Sequence, residues 1–486
     1  MRRVGRWQKV LTGTCLFVVL SALTGWIVTY RMAAADLRRE IRRIEADGES
    51  LDMADLAPTE VPDHENAALL YEQAFAVLDE TGSDTDDNLI KGLSDGKPWD
   101  EEKRRQIATA LYRDRRRMTI ADRLFSSDDD LDTDALPDLS LITEAAAWEA
   151  ARDRLGRNEQ ALEIITKAIA MPRCRFDIDY AKAFAASKPH LEHMRTIARL
   201  LRLRARVRRR DGDFVEAYRD VLACFRLERA VWQPEIVCHL VGVLIRQLAL
   251  EEGLKPLLAK EQEPHPAQWQ AFLEELESVD QGALLVETLQ GERAVGLLNL
   301  DSISTAPGSG APGTPNRPGW FVNAFLSRAW LNREKANYLR YMTGLIAAAR
   351  LEPREMRRRL PSLYDDAEKA QWAKLTLILA PALCRAIHAH SRAATNTDLG
   401  RVALALKLYK HEHGSYPERL HATAPSILNA IPKDTYTGQS LVYRRVDSGF
   451  VVYSVGPDET DDNGNEEPPD WADREQGVDI VWKVGR

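Results

Sequence analysis

The chain has 486 residues, 44% of them hydrophobic and 29% charged, with a net charge of −8. That length and apolar content exclude a disordered chain and leave room for roughly two to four domains. The nearly balanced charge excludes a dedicated nucleic-acid binder, which would carry a basic domain or stripe. Cys15, Cys174, Cys224, Cys238 and Cys384 contain no C-x-x-C pair, which argues against a disulfide framework. Cys224 and Cys238 read as small core residues, with a bridge in an oxidising compartment as the alternative.

Residues 1–9 are basic through Arg2, Arg3, Arg6 and Lys9, and Val10 to Tyr30 follows without a charge. At about 1.5 Å rise per residue that run covers roughly 30 Å, one hydrocarbon core, so residues 10–30 are expected to form a transmembrane helix. Trp7, Trp26 and Tyr30 stand near its ends, where amphipathic rings favour the headgroup level. A cleaved signal peptide, with Ala33-Ala34-Ala35 as its site, and a buried core helix are the alternatives. The length of the run and the immediate Arg31 favour an uncleaved signal-anchor. Arginines lie on both sides, and the long domain behind the span favours a cytoplasmic N-terminus with the bulk of the chain extracytoplasmic, or periplasmic.

Residues 31–300 read as a helical body. Leu37 to Ala46 continues as a charged helix, and Pro62-Asp63-His64-Glu65-Asn66 is a helix start. Thr81 to Asp100 and Ser126 to Asp138 are acidic loops around one helix from Glu101 to Phe125. Ala145 to Ala170 and Ala198 to Arg229 each carry a glycine, Gly156 or Gly212, followed by small residues at the same offsets: Ala161 and Ala168, Ala217 and Cys224. Such spacing predicts two close-packed helical hairpins and resembles the second half of a tetratricopeptide repeat. The glycines are 56 residues apart, against about 34 in that family, so the hairpins are irregular.

Residues 301–318 are a Pro/Gly-rich linker and 319–393 a helical segment whose aromatic start, Trp320, Phe321, Phe325 and Trp330, suits a membrane surface or packing against the body. Leu375 to Leu383, interrupted by Pro381, should be a kinked buried helix. From residue 394 to 486 a helix with Leu399, Val402, Leu406 and Tyr409 at helical spacing runs toward Gly414 as C-cap. Strands follow at Leu441 to Val446, Phe450 to Ser454 and Val478 to Val484, the first two joined at Asp447-Ser448-Gly449.

The loop after the second strand is the candidate site. Asp458, Glu459, Asp461, Asp462, Asn463, Asn465, Glu466, Glu467, Asp470 and Asp473 crowd into sixteen residues, and calcium takes about six to eight oxygen ligands. EF-hand spacing is approached from Glu459, but Pro468-Pro469 and flanking strands replace the helices. The structural alternative is a solvated acidic loop.

The order of helix, His413-Gly414-Ser415-Tyr416-Pro417 turn, meander and acidic loop before Val478-Asp479-Ile480-Val481-Trp482 resembles the C-terminal half of the type II secretion major pseudopilin. The resemblance implies an α+β module, an envelope location and a structural calcium held by the Val455 carbonyl, Asp458 and Asp479. With the loop residues Asp461, Asp462 and Asn463 these form the expected metal site. The family's prepilin cleavage site is absent, so a polymerising subunit is not implied.

Other constellations read as structural. Arg195, Arg199, Arg202, Arg204, Arg206, Arg208, Arg209 and Arg210 are expected on a solvated, ion-paired helix face. His388/His390 and His411/His413, two apart, point to different faces and read as surface residues. Cys384 and His388 share a face without a third group. No H-E-x-x-H or Walker A motif occurs. The expected protein is therefore mostly α, with irregular helical hairpins, one N-terminal transmembrane helix and a small pseudopilin-like α+β module with a three-stranded antiparallel meander. Its expected function is non-enzymatic: a membrane-anchored interaction or scaffold protein with protein partners in a secretion or pilus-like assembly. An envelope enzyme with catalytic residues dispersed in the helical body is the alternative.

Overall fold

The uncharged run and the arginine-rich stretch behind it form one helix, α1 (Val4–Ala46), in the computed structural model. The structure describes residues 4–79, 89–90, 92–93, 99–115, 140, 142–180, 182, 188–259, 265–305, 320–370, 373–465 and 478–485. No proline interrupts α1, so the backbone ladder continues from the apolar run into the charged one. Leu16, Phe17, Val18, Leu20 and Leu23 are exposed on it, whereas Ala33 and Ile44 are buried. From Leu16 to Ala46 it is long and apolar enough, by length and composition, to cross a membrane.

The body is built from α2 (Ala67–Ala76), α3 (Glu101–Arg115), α4 (Glu144–Arg157), α5 (Glu159–Ile169), α6 (His190–Asp211), α7 (Phe214–Val231) and α8 (Ile236–Gln247). The helix start at Pro62–Asn66 is as expected: Asn66 caps α2 by accepting from the Ala68 N–H at 3.1 Å. The two acidic loops lie largely outside the described residues. Of the two expected hairpins, α6 and α7 close as one, with Gly212 at φ +88° as the left-handed cap and Ala217 and Cys224 buried against α6. The other does not close on itself, because α5 packs chiefly on α2. Its turn residue explains this: Asn158 is fully buried and exchanges hydrogen bonds with the backbone N–H and carbonyl of Asp79, at 2.9 and 3.1 Å, just past the end of α2.

After α8 the chain passes through a π-helical stretch, Leu248–Leu254, and then α9 (Pro266–Glu277), α10 (Gln281–Thr305), α11 (Trp320–Ala349), α12 (Pro353–Lys369) and α13 (Lys374–His413). The start of the expected linker is helical as far as Thr305; residues 306–319 lie outside the described residues. Arg340 of α11 pairs with Asp36 and Glu40 of α1 at 2.6 and 2.8 Å, and Arg350 pairs with Glu49 just beyond α1. Both contacts advance together along the two chains, so α1 and α11 run in the same direction. Against α11, α10 runs the opposite way: the Tyr338 hydroxyl donates to the Glu292 carbonyl at 2.8 Å, and Lys335 pairs with Asp301.

Two glycines of α10 permit these close approaches. A Cβ on Gly296 would strike the Tyr338 hydroxyl, and one on Gly291 would strike the Pro234 carbonyl. Glycine in a helix interior usually costs about 1 kcal/mol against alanine. Here the collision with backbone wins, so Gly291→Ala is expected to destabilise by about 1–3 kcal/mol in urea unfolding. An unchanged or higher midpoint would show that α10 shifts freely.

One helix, α13, carries the chain across residue 394 and joins two apolar cores. Its N-terminal half, through Ala380, Leu383 and Ile387, packs with Leu339, Met342, Leu345 and Ile44. Its C-terminal half, from Leu399 to Leu408, packs with α9, the π stretch and the sheet, in one core with α6 and α7. Pro381 lies within α13, which ends at Gly414 in the left-handed conformation, φ +77°. Strands β1 (Val442–Val446), β2 (Gly449–Ser454) and β3 (Ile480–Val484) form an antiparallel meander in the order β1-β2-β3. Val446 pairs with Gly449, so Asp447 and Ser448 form the hairpin turn. Phe450, Val452, Trp482 and Val484 present one sheet face to α13, where Gly400 leaves room for the Trp482 ring. The Trp482 Nε1–H donates to Asn396 Oδ1 at 3.3 Å, which satisfies the buried indole.

Candidate functional site

The acidic loop binds itself through its own carboxylates. Asp479, buried just before β3, accepts from the N–H groups of Gly464 at 2.6 Å and Asp462 at 3.3 Å. Asp461 accepts from the Tyr453 hydroxyl at 2.9 Å and from the Asn463 N–H at 2.8 Å. Asp458 accepts from the Thr460 N–H at 3.1 Å, a local turn. The Val455 N–H donates to Asp434 at 3.0 Å, and the Asn463 carbonyl accepts from Arg444 at 2.6 Å.

Asp461, Asp462 and Asp479 are thus drawn together at one end of the sheet. Burial raises the Asp479 pKa above the usual carboxylate range, and the neighbouring charges of Asp461 and Asp462 raise it further. Such repulsion suits a cation. Yet among the described residues no group of three or more histidine, cysteine, aspartate or glutamate side chains is placed to hold a metal ion. Glu466, Glu467, Asp470 and Asp473 lie outside the described residues. Asp458, Asp461 and Asp479 thus each accept a backbone N–H within the loop.

A second constellation, formed by residues far apart in the chain, lies between the two apolar cores where α8, α10 and α13 meet. His239 Nε2 is 3.1 Å from His390 Nδ1, and His239 Nδ1 is 3.4 Å from Thr288 Oγ1. Two turns along α8, Arg246 donates from Nε to Glu228 Oε1 at 2.9 Å, lies 2.9 Å from Oε2 through Nη2, and donates from Nη1 to Thr397 Oγ1 at 3.2 Å. The Gln281 amide, oxygen turned toward Arg246, accepts from both terminal nitrogens. Further along, Asn396 donates to Glu251 at 2.8 Å. The π stretch sends Glu251 to α13 and the next residue, Glu252, to Arg206 of α6 at 3.0 Å.

Burial sets the charge states of this seam. Desolvation and the nearby Arg246 push the His239 pKa down to about 4. His390 is held well below its ordinary value by burial, then by His239 and Arg246. Burial raises Glu228 against the opposing pull of Arg246. Burial also lifts Glu292, whose carboxylate accepts from the Ile236 N–H at 3.1 Å, to about 7. The seam therefore holds two neutral imidazoles at neutral pH, beside the Arg246–Glu228 pair.

Two cavities flank the turn between α9 and α10. One, of about 380 Å³, has His239, Arg246, Glu228 and Trp232 in its wall. The other, of about 350 Å³, has His390, Ser391, Thr397 and Arg401. Both are of small-molecule size.

Two readings from the sequence are corrected here. His390 is buried rather than on the surface, because it continues the stripe of Leu383 and Ile387 on α13; His411 and His413 are exposed as expected. The arginine run is ion-paired but only partly solvated. Arg204 and Arg208 reach the buried Asp220 of α7 at 2.6 and 2.7 Å, and Arg206 is itself buried. Alternation around α6 sends these side chains to two neighbours instead of to water. Cys384 meets the Tyr341 hydroxyl at 3.5 Å. Comparison of the chain with protein-family models, curated proteins and solved structures finds no significant match.

Proposed function

We propose that the protein is a membrane-anchored scaffold whose helical body and C-terminal module lie on the extracytoplasmic side and bind partners in a secretion or pilus-like assembly. The observation that carries this reading is the continuity of α1. Its N-terminal part exposes Leu16, Phe17, Val18, Leu20, Leu23 and Ile27, and its C-terminal part is fixed to the body through Arg340 with Asp36 and Glu40, with the buried Arg293 holding Glu49 just beyond it at 2.7 Å. A span joined to its domain without a flexible connector holds that domain at a set height and orientation, as a scaffold requires. The likeness of the C-terminal module to a pseudopilin supports the choice of partner.

Purification of the detergent-solubilised full chain from its native membrane, against an anchor-only control, tests the proposal. Secretion or pilus components in the eluate are the expected result, and the protein alone would remove that class of partner. A structural calcium ion on the acidic loop belongs to the same reading, supported by the crowding of Asp461, Asp462 and Asp479. Calcium is then expected to raise the unfolding temperature of the full chain above its value in chelator. Equal temperatures would take the ion out of the proposal.

An envelope enzyme is the second reading, favoured by the His239–His390 pair beside two cavities. The surrounding hydroxyls weigh against it. Ser278, Ser391 and Thr397 each donate to a backbone carbonyl, and burial pushes the Cys238 thiol up to about 12. The seam is better equipped to bind than to react.

A further inference from the structure

Ion pairs fix the register of α11 on α1. Arg340 pairs with Asp36 and Glu40, and Arg350 with Glu49, so facing positions of the two parallel helices lie 300 to 304 residues apart in the chain. Continued along both uninterrupted helices, that register sets Trp330 opposite about residue 28 and Trp320 opposite about residue 18. The burial of α1 follows the same line. Ile44, Ile41, Leu37, Ala33, Tyr30 and Trp26 are buried or half-buried, whereas Thr24, Ile27, Val28 and Thr29 are exposed. Steps of three and four residues make the first set one face of the helix, covered as far down as Trp26.

Val10 to Tyr30 is the uncharged run of α1. On its scale Trp320 lies about 18 Å inside Tyr30, near the middle of a hydrocarbon core, and the backbone of α11 leaves that depth over about three turns. The sequence of those turns suits the place. Trp320 to Ser327 carries no charge, and Trp330 falls near the end of the run, where amphipathic rings favour the headgroups. Arg328 stands about one turn inside, a distance that an arginine stem spans.

Cations collect where the run ends. Arg333 comes level with Arg31. Lys374 joins them because α13 runs beside α11, with the Thr376 N–H donating to Glu334 Oε1 at 2.7 Å and Cys384 Sγ 3.5 Å from the Tyr341 hydroxyl. The carboxylates nearby are already engaged: Glu334 by Thr376, Asp301 by Lys335 and Asp36 by Arg340. About one turn further out, Ile378 is 72% exposed, an apolar side chain at headgroup depth.

We infer that Trp320 to Trp330 of α11 enters the bilayer beside α1, with lipid as its partner and the lipid phosphates meeting Arg31, Arg333 and Lys374. The inference rests on α1 crossing the membrane, and it adds a second, half-depth helix to that anchor.

The test is photo-crosslinking of the full chain in nanodiscs of radiolabelled phosphatidylcholine. p-Benzoylphenylalanine replaces one residue at a time: Leu20 on α1, each of Phe321, Val322, Asn323 and Ala324 on α11, and the exposed Leu351, roughly 28 Å beyond Tyr30. Four successive positions sample every side of α11, at about 100° a step. Lipid adducts are expected at Leu20 and at one or more of the four α11 positions, at least about tenfold above Leu351. Adducts at Leu20 with none on α11 would overturn the inference and leave the span in place. No adduct at Leu20 would remove the span and this inference with it. If one replacement prevents folding, the other α11 positions still decide.

Discussion

Replacing Arg246 by methionine is expected to destabilise the protein by about 3–5 kcal/mol, because it removes the partner of a buried carboxylate and leaves the charge of Glu228 in a dry interior. Both side chains of this pair are almost wholly buried, at 3% and 8% exposure, so solvent screening does little to soften the loss. Thr397 and Gln281 lose a donor at the same time. The companion substitution Glu228→Leu, made on top of Arg246→Met, is expected to recover most of the stability, since two apolar groups of similar volume carry no desolvation cost. Urea unfolding of the single and double variants reads this directly. A double variant as unstable as the single one would show that the pair acts through shape alone.

That pair also illustrates what a sequence withholds. Glu228 and Arg246 lie in different helices, and His239 and His390 come together across 151 positions, with nothing local to connect them. Near neighbours in the chain were legible because their physics is local. Gly414 ends a helix because the left-handed turn there needs it, Asp447-Ser448 closes a hairpin between alternating strands, and Val10 to Tyr30 is apolar by composition.

The candidate site was half legible for the same reason. The acidic loop was found from its density of oxygen ligands, and the structure indeed brings Asp461, Asp462 and Asp479 together. What composition cannot report is where each carboxylate is already engaged: Asp479 on two backbone N–H groups, Asp461 on Tyr453. For the buried seam one signal was available. His390 falls three residues after Ile387 and seven after Leu383, on the apolar face of its helix.

The two seam histidines are expected to make the folded protein more sensitive to acid, well above the pH at which ordinary carboxylates titrate. A histidine whose folded pKa lies below its unfolded value contributes stability that is fully present above the unfolded pKa and lost as pH falls below it. For His239 the folded value is about 4, against roughly 6.5 in the unfolded chain. By about pH 5 the unfolded state has taken up a proton that the folded state refuses, which costs on the order of 2 kcal/mol for His239 alone. His390 is lowered in the same direction, and His190, pushed down to about 4 by burial and by the charge of Lys188, adds to the slope. The two seam imidazoles also cannot both charge, because two imidazolium rings whose nitrogens are 3.1 Å apart would share no proton acceptor between them. Glu292, lifted to about 7, takes up its proton first in the folded state and opposes this loss. The seam histidines are therefore read by comparison, as a loss of unfolding free energy from about pH 7.5 to 4.5 relative to a variant without them. The variant carrying both His239→Gln and His390→Gln, compared over the same range, should lose the imidazole contribution and keep those of His190 and Glu292. An identical slope in the two proteins would place the acid sensitivity elsewhere and remove the seam as its source.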